Sequence, residues 1–96
     1  MYDYYLPIEQ ELVIVKEELE NRLMRYNPDS LMIQTDKERY LMETIKADLR
    51  DVERALTKLE FGVFGIDELT GERMPIEKLK VIPTARTEED LFVLRY

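Results

Sequence analysis

Apolar residues recur at helical spacing along two long stretches of the chain. The first stretch carries apolar residues at Ile8, Leu12, Val15, Leu19, Leu23 and Tyr26, and the second at Leu41, Ile45, Leu49, Val52, Leu56 and Leu59. Residues three or four positions apart lie on the same side of an α-helix, and charged residues fill most of the positions between them. The pattern therefore predicts two amphipathic helices of about 19 and 25 residues, each with one apolar stripe.

Local signals mark the ends of both predicted helices. Pro7 suits the first turn of a helix, and Thr35 followed by Glu38 is typical of a capping box at a helix start. Gly62 lies just beyond the last apolar position of the second stripe, where a glycine commonly ends a helix. The connection at about residues 27–35 is short and rich in turn-forming residues. These features predict an antiparallel helical hairpin.

The pattern changes after residue 60 and divides the chain into a hairpin, residues 1–60, and a C-terminal segment, residues 61–96. The C-terminal segment contains all three glycines of the protein. The positions of these glycines predict two short extended pieces around a turn at Thr70-Gly71. One or two helical turns follow at residues 76–81. The apolar tail at residues 91–96 fits either a strand or a docked helix end.

Composition argues against an enzyme. The chain has 14 Lys and Arg against 21 Asp and Glu, a net charge of −7, and it contains no Cys, His or Trp. It therefore lacks thiol nucleophiles, thiolate zinc ligands and the usual neutral-pH base, and Ser30, its only serine, has no histidine to activate it. We expect no cofactor, and no direct binding of nucleic acid because the charge is negative. The absence of a secretory signal and of a long apolar run predicts a cytoplasmic protein without a membrane span.

A gap-free run of residues in the C-terminal segment carries a resemblance to a known family. The matching positions are Gly62, Phe64-Gly65-Ile66, Gly71-Glu72, Met74-Pro75, Lys78-Leu79 and Pro83-Thr84-Ala85-Arg86. This spacing resembles the zinc finger of the DksA/TraR family of bacterial transcription regulators. Members of that family have a coiled-coil hairpin followed by a small four-cysteine finger. The resemblance, together with the periodicity, implies a mainly α fold: an antiparallel coiled-coil helical hairpin followed by a small zinc-finger-like α+β lobe.

The four cysteine positions of that family fall on residues without thiols: Asp67, Thr70, Glu88 and Leu91. The first three could offer oxygen to a hard cation. We expect the alternative instead, a lobe lacking metal in which packing replaces the metal. The apolar residues that would supply this packing are Ile66, Leu69, Met74, Leu79, Val81, Ile82, Leu91 and Val93. Tyr2, Tyr4, Tyr5 and Leu6 could add to it by docking onto the same lobe.

The resemblance also implies a function. Family members reach with two tip aspartates through the secondary channel of RNA polymerase. The resemblance places Met24 and Asn27 at these two positions and Asp29 at the position of the family's following alanine. We therefore expect a transcription regulator that binds RNA polymerase through its hairpin without binding DNA directly. The candidate contact residues are Asn27, Asp29, Ser30 and Leu31 at the tip, and Lys78 and Arg86 in the C-terminal segment.

A second hypothesis keeps the scaffold and changes the partner. Loss of both the zinc ligands and the acidic tip pair fits a protein–protein interaction module, with self-association into a homodimer as its simplest version. Leu31-Met32-Ile33 and the N-terminal tyrosines would then be contact surfaces. At the level of single residues, Asp29 could instead be a helix cap, and Arg86 could instead pair with one of the acids at residues 88–90.

Overall fold

The computed structural model describes residues 4–25 and 35–94, except for the side chains of residues 93 and 94. Two long helices dominate it: α1, Leu6–Met24, with 19 residues, and α2, Asp36–Glu60, with 25 residues. Both predicted lengths are confirmed. Within the described residues, no helix is long and apolar enough to cross a membrane.

The two helices lie side by side in opposite directions. Arg25, just after α1, lines the same surface cleft as Leu41 near the start of α2. Midway along the pair, Lys16 Nζ lies 3.9 Å from Glu53 Oε2. The end of one helix therefore meets the start of the other, and the predicted helical hairpin is confirmed.

The seam between the helices follows the predicted stripes with two exceptions. The buried side chains are Ile8, Leu12 and Leu19 on α1 and Ile45, Val52 and Ala55 on α2. Leu41 keeps 39% of its surface exposed, because it lies opposite the end of α1. Ala55 is buried although its side chain is too small to contribute to the hydrophobic pattern. Tyr26, the last position of the first stripe, lies outside the described residues.

Both ends of α2 are capped at the residues that the sequence predicts: Thr35 at its start and Gly62 just beyond its end. Thr35 Oγ1 accepts the backbone N–H of Glu38 at 3.1 Å, which satisfies one of the free amides of the first turn. The Thr35 hydroxyl also donates to the Glu38 carboxylate at 3.2 Å, so the side chains of both residues of the predicted capping box are in contact. At the other end Gly62 takes a φ of +75°, and the amide of Val63 donates to the carbonyl of Lys58 at 2.9 Å. This pattern is a Schellman motif.

Turns and short helices build the C-terminal segment. It contains α3, Ile76–Leu79, and a 3₁₀ helix, Glu88–Leu94. The described residues hold no strand beyond a single antiparallel bridge between Ile66 and Arg73. The expected extended pieces are therefore reduced to this one bridge, and Gly65 next to it takes a φ of +82°, outside the extended region. The described part of the tail is helical, which settles the alternative between a strand and a docked helix end.

The core of the C-terminal segment is continuous with the seam of the hairpin. Its buried side chains are Phe64, Met74, Leu79, Ala85 and Leu91. The prediction was wrong for Leu69 and Val81, which are 76% and 63% exposed. Leu69 lies in a tight turn and Val81 follows the end of α3, so neither faces the core. Phe64 and Ala85 occupy the space instead, and the side chain of Val93 lies outside the described residues.

The N-terminal end of α1 docks onto the C-terminal segment. The ring of Tyr5 packs edge-on against Phe64, with ring centroids 5.1 Å apart, and Tyr4 packs against Tyr5 in the same way. Such edge-to-face pairs stabilise a core beyond the area that they bury. Docking is therefore confirmed for Tyr5, whereas Tyr2 lies outside the described residues.

Candidate functional site

The predicted tip contacts lie outside the described residues: Asn27, Asp29, Ser30 and Leu31. The nearest described side chain on α1 is Met24, which keeps 77% of its surface exposed. The role of the tip therefore stays a prediction, and Met24 is the described position from which it can be probed.

The two predicted contacts in the C-terminal segment differ in exposure. Lys78 is half-buried in α3, whereas Arg86 lies in the loop before the 3₁₀ helix and keeps 52% of its side chain exposed. The Arg86 guanidinium donates to Glu68, from Nη2 to Oε1 at 2.8 Å and from Nε to Oε2 at 3.0 Å. Its carboxylate partner is therefore not one of the acids at residues 88–90. Among these, Asp90 accepts the backbone N–H of Arg86 at 2.8 Å.

Glu68 connects the hairpin to the C-terminal segment. Its carboxylate accepts a second charged hydrogen bond from Lys58 in the last turn of α2. The hydrogen bond from Arg86, and then that from Lys58, lower the pKa of Glu68 to about 2, and Glu68 raises the pKa of Arg86 in return. Sequence reasoning missed this cluster because Glu68 lies 10 and 18 residues from its partners, and no local spacing links them.

Three of the four positions that the resemblance aligns with cysteines meet at one carboxylate: Asp67 itself, Thr70 and Glu88. Asp67 is 5% exposed. Its Oδ1 accepts the backbone N–H groups of Leu69 at 2.7 Å and Thr70 at 3.0 Å, and its Oδ2 accepts the backbone N–H of Glu88 at 2.7 Å. Leu91 is fully buried, at 0% exposed. Two of the other positions therefore bind Asp67 through the main chain, and Leu91 contributes packing.

The Asp67 carboxylate is held in its charged form. The N–H of Glu88 contributes most to lowering its pKa, burial opposes this, and the N–H groups of Thr70 and Leu69 add to the lowering. Hydrogen bonds to the charged form of an acid favour that form. Across residues 4–25 and 35–94, no group of three or more acidic side chains is placed to hold a metal ion. The oxygens of Asp67 thus serve amide donors.

Fold and site together define a helical-hairpin protein whose C-terminal segment is held by acid-centred hydrogen bonds. The chain is 42% identical to the uncharacterized protein YlyA of Bacillus subtilis strain 168 over 97 aligned residues, which cover 94% of this chain and 77% of that protein. The chain therefore belongs to the family of YlyA.

Two further relatives from the same organism share shorter regions. General stress protein 16O is 34% identical over 71 residues, or 72% of this chain and 44% of that protein. The uncharacterized protein YteA is 46% identical over 39 residues, or 41% of this chain and 16% of that protein. No family model matches the chain, and no solved structure matches it.

Proposed function

We propose that the protein is a transcription regulator that binds RNA polymerase by inserting its hairpin into the secondary channel, without binding DNA directly. The observation that carries the proposal is the hairpin of two antiparallel helices of 19 and 25 residues. A small segment packs beside it, from the end of α2 at Lys58 to the middle of both helices at Leu19 and Asp48. The resemblance of residues 62–91 to the zinc finger of the DksA/TraR family supports the same function. The name of General stress protein 16O fits a regulator that acts under stress.

The dimensions and charge of the hairpin suit insertion into a basic channel. At 1.5 Å per residue, α1 is about 28 Å long and α2 about 37 Å. The net charge is −7, and exposed acids follow the outer faces of both helices at Glu9, Glu17, Glu20, Glu43 and Glu60. Such a surface accelerates encounter with a positively charged partner and disfavours nucleic acid. The protein would therefore act on the polymerase itself.

The C-terminal segment would stay outside and contact the rim of the channel as a zinc-finger-like lobe lacking metal. Arg86 uses its Nε and Nη2 groups on Glu68, yet half of its side chain remains exposed. Its guanidinium can therefore bridge Glu68 and an acidic group of the partner, because arginine carries five N–H donors. Lys78, half-buried in α3, would be the second cation of this contact.

Site-specific cross-linking tests the orientation of the complex. Met24 and Leu69 are 77% and 76% exposed and lie at opposite ends of the molecule. A photoreactive amino acid at Met24 should cross-link to residues that line the secondary channel of purified core polymerase. The same amino acid at Leu69 is the matched control and should cross-link to the outer rim. Both yields should fall as salt is raised, because screening weakens the electrostatic attraction.

Two outcomes would remove the proposal. One is the absence of any polymerase cross-link from either position at micromolar protein. The other is cross-linking from Met24 to a surface away from the channel. A substitution that removes one negative charge from the exposed acidic face, such as Glu17→Gln, should slow association with the polymerase without changing the site of the cross-link.

Self-association is the second candidate function, favoured by apolar side chains outside the seam. Val13, Ile14 and Tyr40 keep 42%, 64% and 72% of their surfaces exposed. Light scattering separates a monomer of 11.5 kDa from a dimer of twice that mass. A dimer that Ile14→Ser dissociates, together with no polymerase binding, would support this function over the first.

A further inference from the structure

Asp67 occupies an unusual place for an acidic residue in so small a protein. Among the described residues, Asp67 is the one charged residue that is buried. None of the ion pairs between described residues involves its carboxylate. Three backbone amides donate to it, two from the turn at residues 69–70 and one from Glu88, 21 residues further along. A buried carboxylate needs such donors to compensate for the loss of water. Its hydrogen bonds therefore connect two separate parts of the chain.

The main chain around Asp67 strengthens this connection. The carbonyl of Asp67 accepts the amide of Gly71 at 2.8 Å, and its amide donates to the carbonyl of Glu72 at 2.8 Å. The next amide, that of Glu68, donates to the carbonyl of Arg86 at 2.9 Å. The turn at residues 67–71 is thus closed by its own main-chain hydrogen bond. It is also hydrogen-bonded to Arg86, in the loop that leads to the 3₁₀ helix.

The donor set at the four former cysteine positions does not fit a metal. Both oxygens of Asp67 already accept amide protons. The hydroxyl of Thr70 accepts the amide of Glu72 at 3.2 Å, Glu88 is exposed, and Leu91 has only hydrocarbon to offer. Zinc takes four ligands and calcium six or more, and these residues supply neither.

We infer that the carboxylate of Asp67 performs the structural task that a bound metal performs in zinc-finger lobes: it links the turn at residues 67–71 to the start of the 3₁₀ helix at Glu88. A structural zinc stabilises a small lobe because it joins two turns that the unfolded chain keeps apart. Three hydrogen bonds to one charged acceptor join the same two regions here, and such bonds are stronger than neutral ones. Leu91, three residues after Glu88, is fully buried in the hydrophobic cluster and adds apolar packing to the same segment.

This role of Asp67 lies beyond the proposed function and does not depend on the partner of the hairpin. Two claims about the isolated protein can be tested: the fold needs no metal, and it needs the carboxylate of Asp67. Asp90 provides a matched control. It is an exposed aspartate of the same segment whose Oδ2 also accepts two backbone amides, those of Arg86 and Thr87, but both lie within four residues of it.

Thermal unfolding and hydrogen exchange of the full chain test both claims. The wild-type midpoint should be the same with EDTA and with added zinc, and native mass spectrometry should give the mass of the metal-free chain. Asp67→Asn keeps the shape of the side chain but leaves one acceptor oxygen instead of two. It should accelerate exchange of the Glu88 amide by about 10- to 100-fold. Asp90→Asn should leave that amide unchanged.

Each result decides one of the claims. A wild-type midpoint that falls with EDTA or rises with zinc would overturn the metal-free claim. Equal effects of Asp67→Asn and Asp90→Asn on the Glu88 amide would overturn the role of Asp67. If Asp67→Asn does not fold while Asp90→Asn does, the role of Asp67 is supported, and the EDTA and zinc measurements on the wild type still test the first claim.

Discussion

Replacement of Leu91 by alanine is the sharpest test of how the C-terminal segment is held. Leu91 is 0% exposed and belongs to the cluster that joins this segment to the hairpin. Truncation to alanine removes buried methyl groups and leaves a cavity that the neighbouring side chains fill only in part. We expect the cost to appear as a lower free energy of unfolding of the whole protein, because one hydrophobic cluster spans both parts.

The magnitude follows from the burial. Leucine-to-alanine changes at fully buried sites cost about 3–5 kcal/mol. A chain of this size is stable by about 5–15 kcal/mol, so the loss is a large fraction of the total. For a domain of this length, the unfolding midpoint should fall by roughly 15–30 °C.

Thermal unfolding followed by circular dichroism measures the effect, and Leu69→Ala is its matched control. Leu69 lies in the same segment and is 76% exposed, so its loss should change the free energy of unfolding by no more than about 0.5 kcal/mol. If Leu91→Ala unfolds with the midpoint of Leu69→Ala, Leu91 is not the packed residue that we describe, and the reasoning fails.

Three further changes probe single contacts. Glu68→Gln should cost about 1 kcal/mol at pH 7 after screening by solvent. Because the folded pKa of Glu68 is lowered from 4.5 to about 2, this contribution is present above pH 4.5 and lost as the pH falls towards 2. The matched control is Glu72→Gln at an exposed position, which should cost no more than about 0.5 kcal/mol in the same denaturant titrations. Gly65→Ala should lower the midpoint more than Gly71→Ala: both glycines have positive φ, but only at Gly65 would a Cβ meet side chains, at 3.2 and 3.4 Å. Thr35→Ala should cost about 1 kcal/mol in urea unfolding and Thr35→Ser much less, because only the serine keeps the capping oxygen.

The hairpin could be predicted because its signals are local. Helical spacing, the cap at Thr35 and the glycine at position 62 each act within a few residues, and the structure forms the helices where these signals place them. Ala55 was missed because burial of a small side chain leaves no mark on a hydrophobic pattern. Leu41 was placed in the seam because periodicity does not show where the facing helix ends.

The C-terminal segment was harder to predict because its contacts span long separations. Leu69 and Leu91 are the same residue type, and only the folded chain exposes one and buries the other. The link from Asp67 to Glu88 crosses 21 residues, and the bonds of Glu68 cross 10 and 18. The resemblance drew attention to Asp67, Thr70 and Glu88, but it could not show that backbone amides would donate to the carboxylate of Asp67.

The junction after α2 fixes the length of the hairpin and the rotation of its far end relative to the C-terminal segment. The helix ends in a Schellman motif, and its last turn is bonded through Lys58 to Glu68, so the helix passes into the C-terminal segment without a free joint. Each residue inserted into α2 would lengthen the protein by 1.5 Å and rotate one end against the other by about 100°. Adding one full turn to each helix would keep the far end facing the same way. Adding half a turn to each helix would make the far end face the opposite way.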